Sequence, residues 1–388
     1  MNEQVIRIMF VLIRKVVCGA EVDEVLKNII TPEMVPQLYA LSKAHDMAHI
    51  VAQGLSDLGL LGEDEISAKF QKQQMLAVYR YQRINYELGQ ICQTLEDAKI
   101  PFIPLKGSVI RQYYPDPWMR TSCDIDVLVH EEELERASCF FEENLTYRNE
   151  GKSSHDISMF SQSGIHVELH YDTVEDGRAN QANRVLSDIW TYTVALKETC
   201  VRRVLTDEMF YFYQIAHMAK HFEDGGCGIR PFLDLWILEH CVEHDQASRD
   251  ALLEQGSLLT FANVCRKLSA VWFDCAEPDD MTVQTQAYIL HGGVYGNLDN
   301  RVAVQQNKSG GKIRYALSRI FLPYETLKFH YPILQKHRWL TPIMEIRRWF
   351  KLLFKGKMKS SLHELNVNKS MSQEQIDSTA ELLEKLGL

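Results

Sequence analysis

The chain lacks the sequence features of several protein classes. None of its nine cysteines forms a C-x-x-C pair, which disfavours both a cysteine-based zinc site and a disulfide framework and favours a reducing compartment. No segment approaches the roughly 18 apolar residues that a membrane-spanning helix needs, so no transmembrane segment is predicted. Internal repeats and low-complexity stretches are also missing. The 46% hydrophobic content is typical of an ordinary globular protein.

The N-terminal apolar run is short. It covers residues 8–13, with Arg7 before it, and Arg14 and Lys15 separate it from the small residues 18–20. A secretory signal peptide has an apolar region that leads directly to its cleavage site. We therefore expect no signal peptide and a cytoplasmic protein.

The net charge of −10 is unevenly distributed. Residues 312–359 contain twelve Lys or Arg and two acids, Glu325 and Glu345, whereas the rest of the chain contains 30 basic and 50 acidic residues. A basic segment on an acidic body favours an anionic partner such as RNA or lipid headgroups. Docking of the segment on the acidic body itself is an equal alternative.

Helical periodicity dominates the chain except in its middle. Apolar residues recur at three- and four-residue spacing before residue 95 and again after residue 205, and residues 70–95 predict one long helix. After residue 205, the pattern predicts helices over residues 207–222, 231–243 and 248–272. The middle of the chain has the short apolar or alternating runs of strands, at residues 100–105, 123–129, 155–160 and 164–171.

We predict an α+β, mostly helical fold with a small mixed sheet between helical N- and C-terminal lobes. The predicted parts are a helical N-terminal lobe (residues 1–95), an α+β core (96–204), a helical C-terminal lobe (205–311) and a basic helical tail (312–388).

The strongest chemical pattern is Gly107-Ser108 followed by Asp124-x-Asp126. Residues i and i+2 of a strand point to the same face, and two carboxylates placed side by side are costly unless a cation neutralises them. The pair therefore indicates a hard-cation site. Mg²⁺ is the first choice, with Mn²⁺ as the alternative, because these ions take oxygen ligands and leave positions for phosphate.

Glu168 offers a third carboxylate. By alternation it shares one strand face with His166 and His170. If its strand lies beside that of Asp124 and Asp126, the three carboxylates form a cluster that can hold two metal ions, as in nucleotidyl transfer. The Gly-Ser turn ahead of a short helix would let a phosphate approach the backbone closely.

These motifs together resemble the uncharacterised nucleotidyltransferase family of the DNA polymerase β-like nucleotidyltransferase superfamily. The resemblance is carried by Leu105-Lys106-Gly107-Ser108, Arg120-x-x-x-Asp124-x-Asp126 and Val167-Glu168-Leu169-His170, and it continues at His217, Lys220, His221, Arg230 and Asp234. It covers about residues 30–355 and is firmest over 100–170.

The resemblance implies a nucleotidyltransferase-like sheet and a two-metal reaction in which a nucleoside triphosphate, such as ATP, gives its monophosphate to an acceptor and releases pyrophosphate. Asp124 and Asp126 would ligate both ions, and Glu168 the catalytic one. The nucleotide would be bound by Lys106, Gly107, Ser108, Lys220, His221 and Arg230. The acceptor (RNA, protein or small molecule), the base and the oligomeric state stay open.

Structural interpretations of the same residues also stay open. The two aspartates could be satisfied by backbone amides or by Arg120, Lys106 could serve only as their ion-pair partner, and Arg230 could pair with Asp234 one helical turn away.

At the level of the whole protein, the alternative is a non-catalytic nucleotide- or RNA-binding module. In a third interpretation the tail is the functional part, with aromatic residues that suit RNA bases, lipid headgroups or a core: Phe321, Tyr324, Phe329, Tyr331, Trp339 and Trp349.

Overall fold

The computed structural model describes residues 2–22, 28–174, 180–197, 201–294, 296–354 and 358–388, with the backbone alone for residues 325, 329, 330, 352–354, 358 and 360. It is 66% helical, with a small mixed sheet between helical regions, which confirms the predicted fold class. The side chains of Glu325 and Phe329 lie outside this description, as do Cys200, one of the nine cysteines, and Lys355 and Lys357, two of the twelve basic residues of segment 312–359.

The first quarter of the chain folds into helices. They are α1 (Glu3–Val17), α2 (Met34–Ala44), α3 (Ala48–Asp57) and α4 (Glu65–Asp97). Helix α4 begins where the Asp64 side chain accepts hydrogen bonds from the backbone N–H groups of Ile66 and Ser67. It continues through Gly89, because one helical glycine costs only about 1 kcal/mol. The single long helix is therefore confirmed.

The sheet occupies the middle of the chain. Its strands are β1 (Phe102–Pro104), β2 (Asp124–Val129), β3 (Arg148–Lys152), β4 (Asp156–Phe160) and β5 (His166–His170), with α5 (Gly107–Ile110) and α6 (Leu134–Asn144) between them. Their order is β1-β2-β5-β4-β3, and β2 pairs with β5 in parallel while the other neighbours are antiparallel. The proline-containing β1 lies at the edge of this sheet, as its sequence indicates.

Helices resume after a two-stranded ribbon. The ribbon and its preceding helix are α7 (Gln181–Ser187), β6 (Thr193–Ala195) and β7 (Arg203–Leu205). The helices that follow are α8 (Asp207–Glu223), α9 (Arg230–His240), α10 (Gln246–Gln255), α11 (Leu259–Phe273) and α12 (Asp280–Leu290). The prediction of one helix over residues 248–272 is wrong. The chain breaks at Gly256 and Ser257, where Ser257 has a φ of 57° that a helix cannot accommodate.

Two hydrophobic cores organise these elements. The larger core joins helices from both ends of the chain, with Ile13 and Phe70 from the first quarter packed in the same cluster as Phe222 and Trp272. The smaller core lies between the sheet, the second half of α4 and α6. The sheet is therefore held between helical regions that share one core.

The last part of the chain is helical and partly separate. Its helices are α13 (Leu298–Ser309), α14 (Lys312–Ile320), α15 (Tyr324–His330), α16 (Ile333–Lys336), α17 (Thr341–Phe354), α18 (Met358–Ser370) and α19 (Gln373–Leu386). Helix α19 returns to the large core through Leu382, Leu383 and Leu386. Helices α15 to α17 enclose a small cluster of their own around Leu327, Leu334 and Met344. Within the described residues, no helix has the length and apolar character to cross a bilayer.

Candidate active site

Three carboxylates lie on neighbouring strands of the sheet. In the parallel pairing of β2 with β5, Asp126 stands directly opposite Glu168, and Asp124 lies two residues earlier on the same face of β2. The alternate residues Ile125 and Val127 are fully buried in the smaller core. The alternation therefore turns the carboxylates to the opposite face, where they line a cavity of about 490 Å³.

Two histidines of β5 extend this cluster. His166 and His170 flank Glu168, with ring nitrogens 3.8 Å and 3.3 Å from its carboxylate oxygens. Two sets of three side chains have ligand atoms within 4.8 Å of one another: Asp124 with His166 and Glu168, and Asp126 with Glu168 and His170. These oxygen-rich sets, each with one imidazole, are suited to a divalent cation.

Asp126 is buried between two positive partners. Its carboxylate is 3% exposed, and it accepts hydrogen bonds from Lys106 Nζ at 2.8 Å and from His170 Nε2 at 3.0 Å. Burial on its own would raise the pKa of Asp126, but Lys106 and His170 outweigh burial and hold that pKa well below its usual range. Lys106 and His170 thus favour the ionised form of Asp126.

The charge of Asp126 shifts the pKa values of Asp124 and His170. Burial and the charge of Asp126 raise the pKa of Asp124 above its ordinary value. Burial would lower the pKa of His170, but its hydrogen bonds to Asp126 and Glu168 raise it to about 9. Asp124 therefore lies where further positive charge would stabilise its ionised form.

The turn before α5 has an unusual backbone. Lys106, rather than Gly107, adopts a positive φ of 45°, a conformation that residues with a side chain rarely take. Gly107 lies in a tight space, since an added Cβ would come within 3.3 Å of Ser122 Cβ and 3.4 Å of Arg120 Nη1. The turn therefore directs Lys106 to Asp126, and a side chain at position 107 would require Ser122 or Arg120 to shift by a few tenths of an ångström.

Ser108 lies behind this turn. Its backbone N–H donates to Leu105 O at 3.1 Å, and its hydroxyl oxygen is buried without a hydrogen-bond partner among the described residues. Gly107 and Lys106 line the cavity with the carboxylates, whereas Ser108 is not one of its lining residues. The Ser108 amide is therefore engaged within the turn, and the Ser108 hydroxyl is not exposed to the cavity.

Helix α8 forms the facing wall. His217, Lys220 and His221 line the cavity from this helix, and the rings of His217 and His221 lie 4.5 Å apart. Burial, then the nearby Lys106, holds the pKa of His217 well below its ordinary value. This wall therefore offers a neutral imidazole beside Lys220.

Arg230 and Asp234 do not pair with each other. Arg230 Nη1 donates to Asp46 Oδ2 at 3.0 Å, while Asp234 accepts from Arg120 Nε at 2.8 Å and from Tyr114 OH at 2.7 Å. The intrahelical ion pair is therefore wrong, and so is the pairing of Arg120 with the two aspartates. The Arg120–Asp234 bridge links the sheet region to α9, and Arg230 lines the cavity.

The N-terminal helices contribute lining residues that sequence reasoning missed. Lys43 lies near the end of α2, Asp46 lies in the turn that follows, and Arg80 lies on α4; all three line the cavity. These positions lie far from the motifs in sequence and carry no recognisable spacing. Eight of the nine predicted site residues therefore line one cavity, together with cations from the N-terminal helices.

A second cavity of similar volume, about 490 Å³, adjoins the first. The two share Lys106, His155, His217 and Lys220 as lining residues. Its other walls mix uncharged polar side chains, among them Asn180, Gln181 and Ser257, with apolar residues such as Leu186 and Leu258. Space therefore lies on both sides of the Lys106–His217 boundary, and the three carboxylates line the first cavity.

One comparison with known proteins gives a match. A family model described as an uncharacterised nucleotidyltransferase matches residues 31–274, which is more than half of the chain and includes the sheet, α8 and α9. No curated protein and no solved structure matches the chain.

Proposed function

We propose that this chain, which belongs to the uncharacterised nucleotidyltransferase family, transfers a nucleoside monophosphate from a nucleoside triphosphate to an acceptor hydroxyl or phosphate and releases pyrophosphate. The observation that carries the proposal is the parallel pairing of β2 with β5. This pairing brings Asp124, Asp126 and Glu168 to one cavity whose other walls hold cations.

The donor set fits the metal that such a reaction requires. Asp126 is ionised and buried, and Asp124 has a raised pKa caused by burial and the charge of Asp126, so added positive charge is favourable there. Asp124, Asp126 and Glu168 would hold two Mg²⁺ ions, or Mn²⁺. When bound, the ions neutralise phosphate charge and make the acceptor hydroxyl a better nucleophile.

The cations around the cavity would bind the triphosphate. Lys106 pairs with Asp126, and a cation held by the carboxylates would leave the Lys106 ammonium available for a phosphate oxygen. Lys220, His221 and Arg230 approach from the facing walls. Charge-assisted hydrogen bonds of this kind fix both the charge and the orientation of the phosphates.

The reaction then needs positioning rather than covalent catalysis by the protein. An acceptor oxygen attacks the α-phosphorus, a new P–O bond forms, and the bond from the α-phosphorus to the bridging oxygen breaks. The electron pair of that bond leaves with pyrophosphate. Glu168, which faces the cavity beside Asp126, would accept the proton of the acceptor hydroxyl.

Release of pyrophosphate from each NTP tests this proposal. The purified chain is incubated with candidate acceptors (RNA, protein or small molecules) and NTPs labelled on the α-phosphate, with Mg²⁺ or with a chelator, and both pyrophosphate and the fate of the label are followed. We expect release with Mg²⁺ that falls by about 100-fold or more in Asp126→Asn and Glu168→Gln, while the exposed surface change Asp97→Asn leaves it unchanged.

The alternative of a non-catalytic binding module makes a distinct prediction. It requires NTP binding without pyrophosphate release, whichever RNA, protein or small-molecule acceptor is supplied. That result, or equal activity of Asp126→Asn and the unmodified chain, would contradict the proposed reaction.

A further inference from the structure

Helix α17 presents apolar side chains to solvent. Ile343, Ile346 and Phe350 lie on one face of the helix and are 50%, 49% and 56% exposed. The opposite face carries Met344 and Glu345, which are buried against the small cluster of the tail. A helix in a soluble protein usually turns its apolar face inward. The outer face of α17 therefore lacks the covering that such a face normally has.

Helix α14 has the same property. Ile313 and Leu317 are 76% and 49% exposed, whereas Tyr315 points inward and donates to Glu364. The two helices meet where Phe321 and Trp349 pack with ring centroids 5.4 Å apart. We name the exposed side chains the tail apolar surface: Ile313, Leu317, Phe321, Ile343, Ile346 and Phe350.

Among the described side chains of α14 and α17, the charged groups exposed at this surface are cations. Arg314, Arg347 and Lys351 are exposed on α14 and α17, within a segment that holds twelve Lys or Arg and two acids. One of the two acids, Glu345, is buried, where it pairs with Arg348 at 2.8 Å and accepts from the Leu322 N–H at 2.7 Å. The other, Glu325, has only its backbone described. The border of the tail apolar surface thus carries positive charge.

The chemistry of the surface distinguishes between anionic partners. Single-stranded RNA is held by aromatic side chains on which bases stack, but four of the six side chains here are aliphatic. Aliphatic and aromatic side chains flanked by Lys and Arg are the composition of helices that lie in the interface of an anionic bilayer. We propose that the tail apolar surface docks the protein on an anionic membrane surface, with α14 and α17 in the plane of the headgroups.

Co-sedimentation with vesicles tests this docking. The full chain is mixed with vesicles of phosphatidylcholine alone or with added phosphatidylglycerol. We expect binding to the anionic vesicles only. In Ile343→Ser/Ile346→Ser/Phe350→Ser the partition coefficient should fall by about tenfold or more, because these positions no longer bury apolar area on binding. Arg347→Glu/Lys351→Glu is expected to lower it about 20-fold.

Matched variants on the body of the protein are the controls. Val283 is 51% exposed on α12, and Lys69 and Lys72 are exposed on α4. Val283→Ser and Lys69→Glu/Lys72→Glu should leave vesicle binding unchanged. Three results would overturn the proposal: equal binding to neutral vesicles, retention on single-stranded RNA but not on vesicles, or a dimer that the triple serine variant dissociates.

Discussion

The cavity lined by Asp124, Asp126 and Glu168, called the cleft below, and the basic tail place their charges in opposite ways. In the cleft, Asp126 and Asp234 are 3% and 2% exposed, and each is held by a cation within 3 Å. In the tail, Arg347 and Lys351 are exposed beside exposed apolar side chains. Buried charge needs partners at defined positions and suits a small ligand that enters the cavity, whereas exposed charge beside an apolar face suits an extended surface.

Breaking a buried pair in the cleft should have the largest effect on stability. Asp234→Asn leaves Arg120 buried without its counter-charge, so we expect the free energy of unfolding to fall by about 3 kcal/mol. Urea denaturation followed by circular dichroism measures this loss. The exposed change Asp97→Asn should stay within about 0.5 kcal/mol. A loss below about 1 kcal/mol in Asp234→Asn would show that the bridge is not a structural tie.

Acid should destabilise the folded chain through His45, which lines the cleft. Burial lowers the pKa of His45 to about 4 from an ordinary value near 6.5. The unfolded chain therefore binds a proton in this window that the folded chain does not, and stability is lost as the pH falls. Between pH 6.5 and 5 the loss is about 2 kcal/mol.

Denaturation curves across this pH range check the sign. His45→Gln should flatten the dependence, whereas His337→Gln, an exposed position of the tail, should not change it. His170 acts in the opposite direction, because its pKa is raised to about 9 and its contribution is lost as the pH rises from 6.5 towards 9. A slope that is the same in His45→Gln and in the unmodified chain would contradict this assignment.

Removing the exposed apolar side chains of the tail should have the smallest effect on the free energy of unfolding. We expect Ile343→Ser/Ile346→Ser/Phe350→Ser to change the free energy of unfolding by about 0.5 kcal/mol or less per position, because exposed side chains make few contacts. In contrast, Leu334→Ala on the inner side of the tail should cost about 2 kcal/mol of local stability. Thermal melts compare the variants. Equal losses would mean that the outer face is packed in the folded chain.

The sequence predicts those parts of the cleft that depend on local alternation. Side chains alternate between the two faces of a strand, so Asp124 and Asp126 share one face of β2, and Glu168 shares one face of β5 with His166 and His170. The structure adds the parallel register that sets Asp126 opposite Glu168. Alternation cannot predict which strands become neighbours, because strand pairing is decided by packing across the whole sheet.

Contacts between segments that are distant in sequence could not be predicted from the sequence pattern. Arg120 and Asp234 are 114 residues apart in sequence, and Arg230 and Asp46 are 184 residues apart. Arg230 and Asp234 stand one helical turn apart, and this local spacing favours an ion pair that the tertiary partners Asp46 and Arg120 replace. The break at Gly256 was missed because the apolar period continues across it.

Binding of NTPs in the presence and absence of Mg²⁺ is the direct test of a metal–nucleotide site on β2 and β5. The free energy of unfolding of the chain and of Asp126→Asn is measured with each NTP, because a ligand that binds only the folded state raises stability. Each protein is compared with its own ligand-free baseline. We expect an increase in the free energy of unfolding with at least one NTP, and we expect this increase to require Mg²⁺ and to be lost in Asp126→Asn. An increase of the same size in the variant, or no increase with any NTP, would contradict a metal–nucleotide site on β2 and β5.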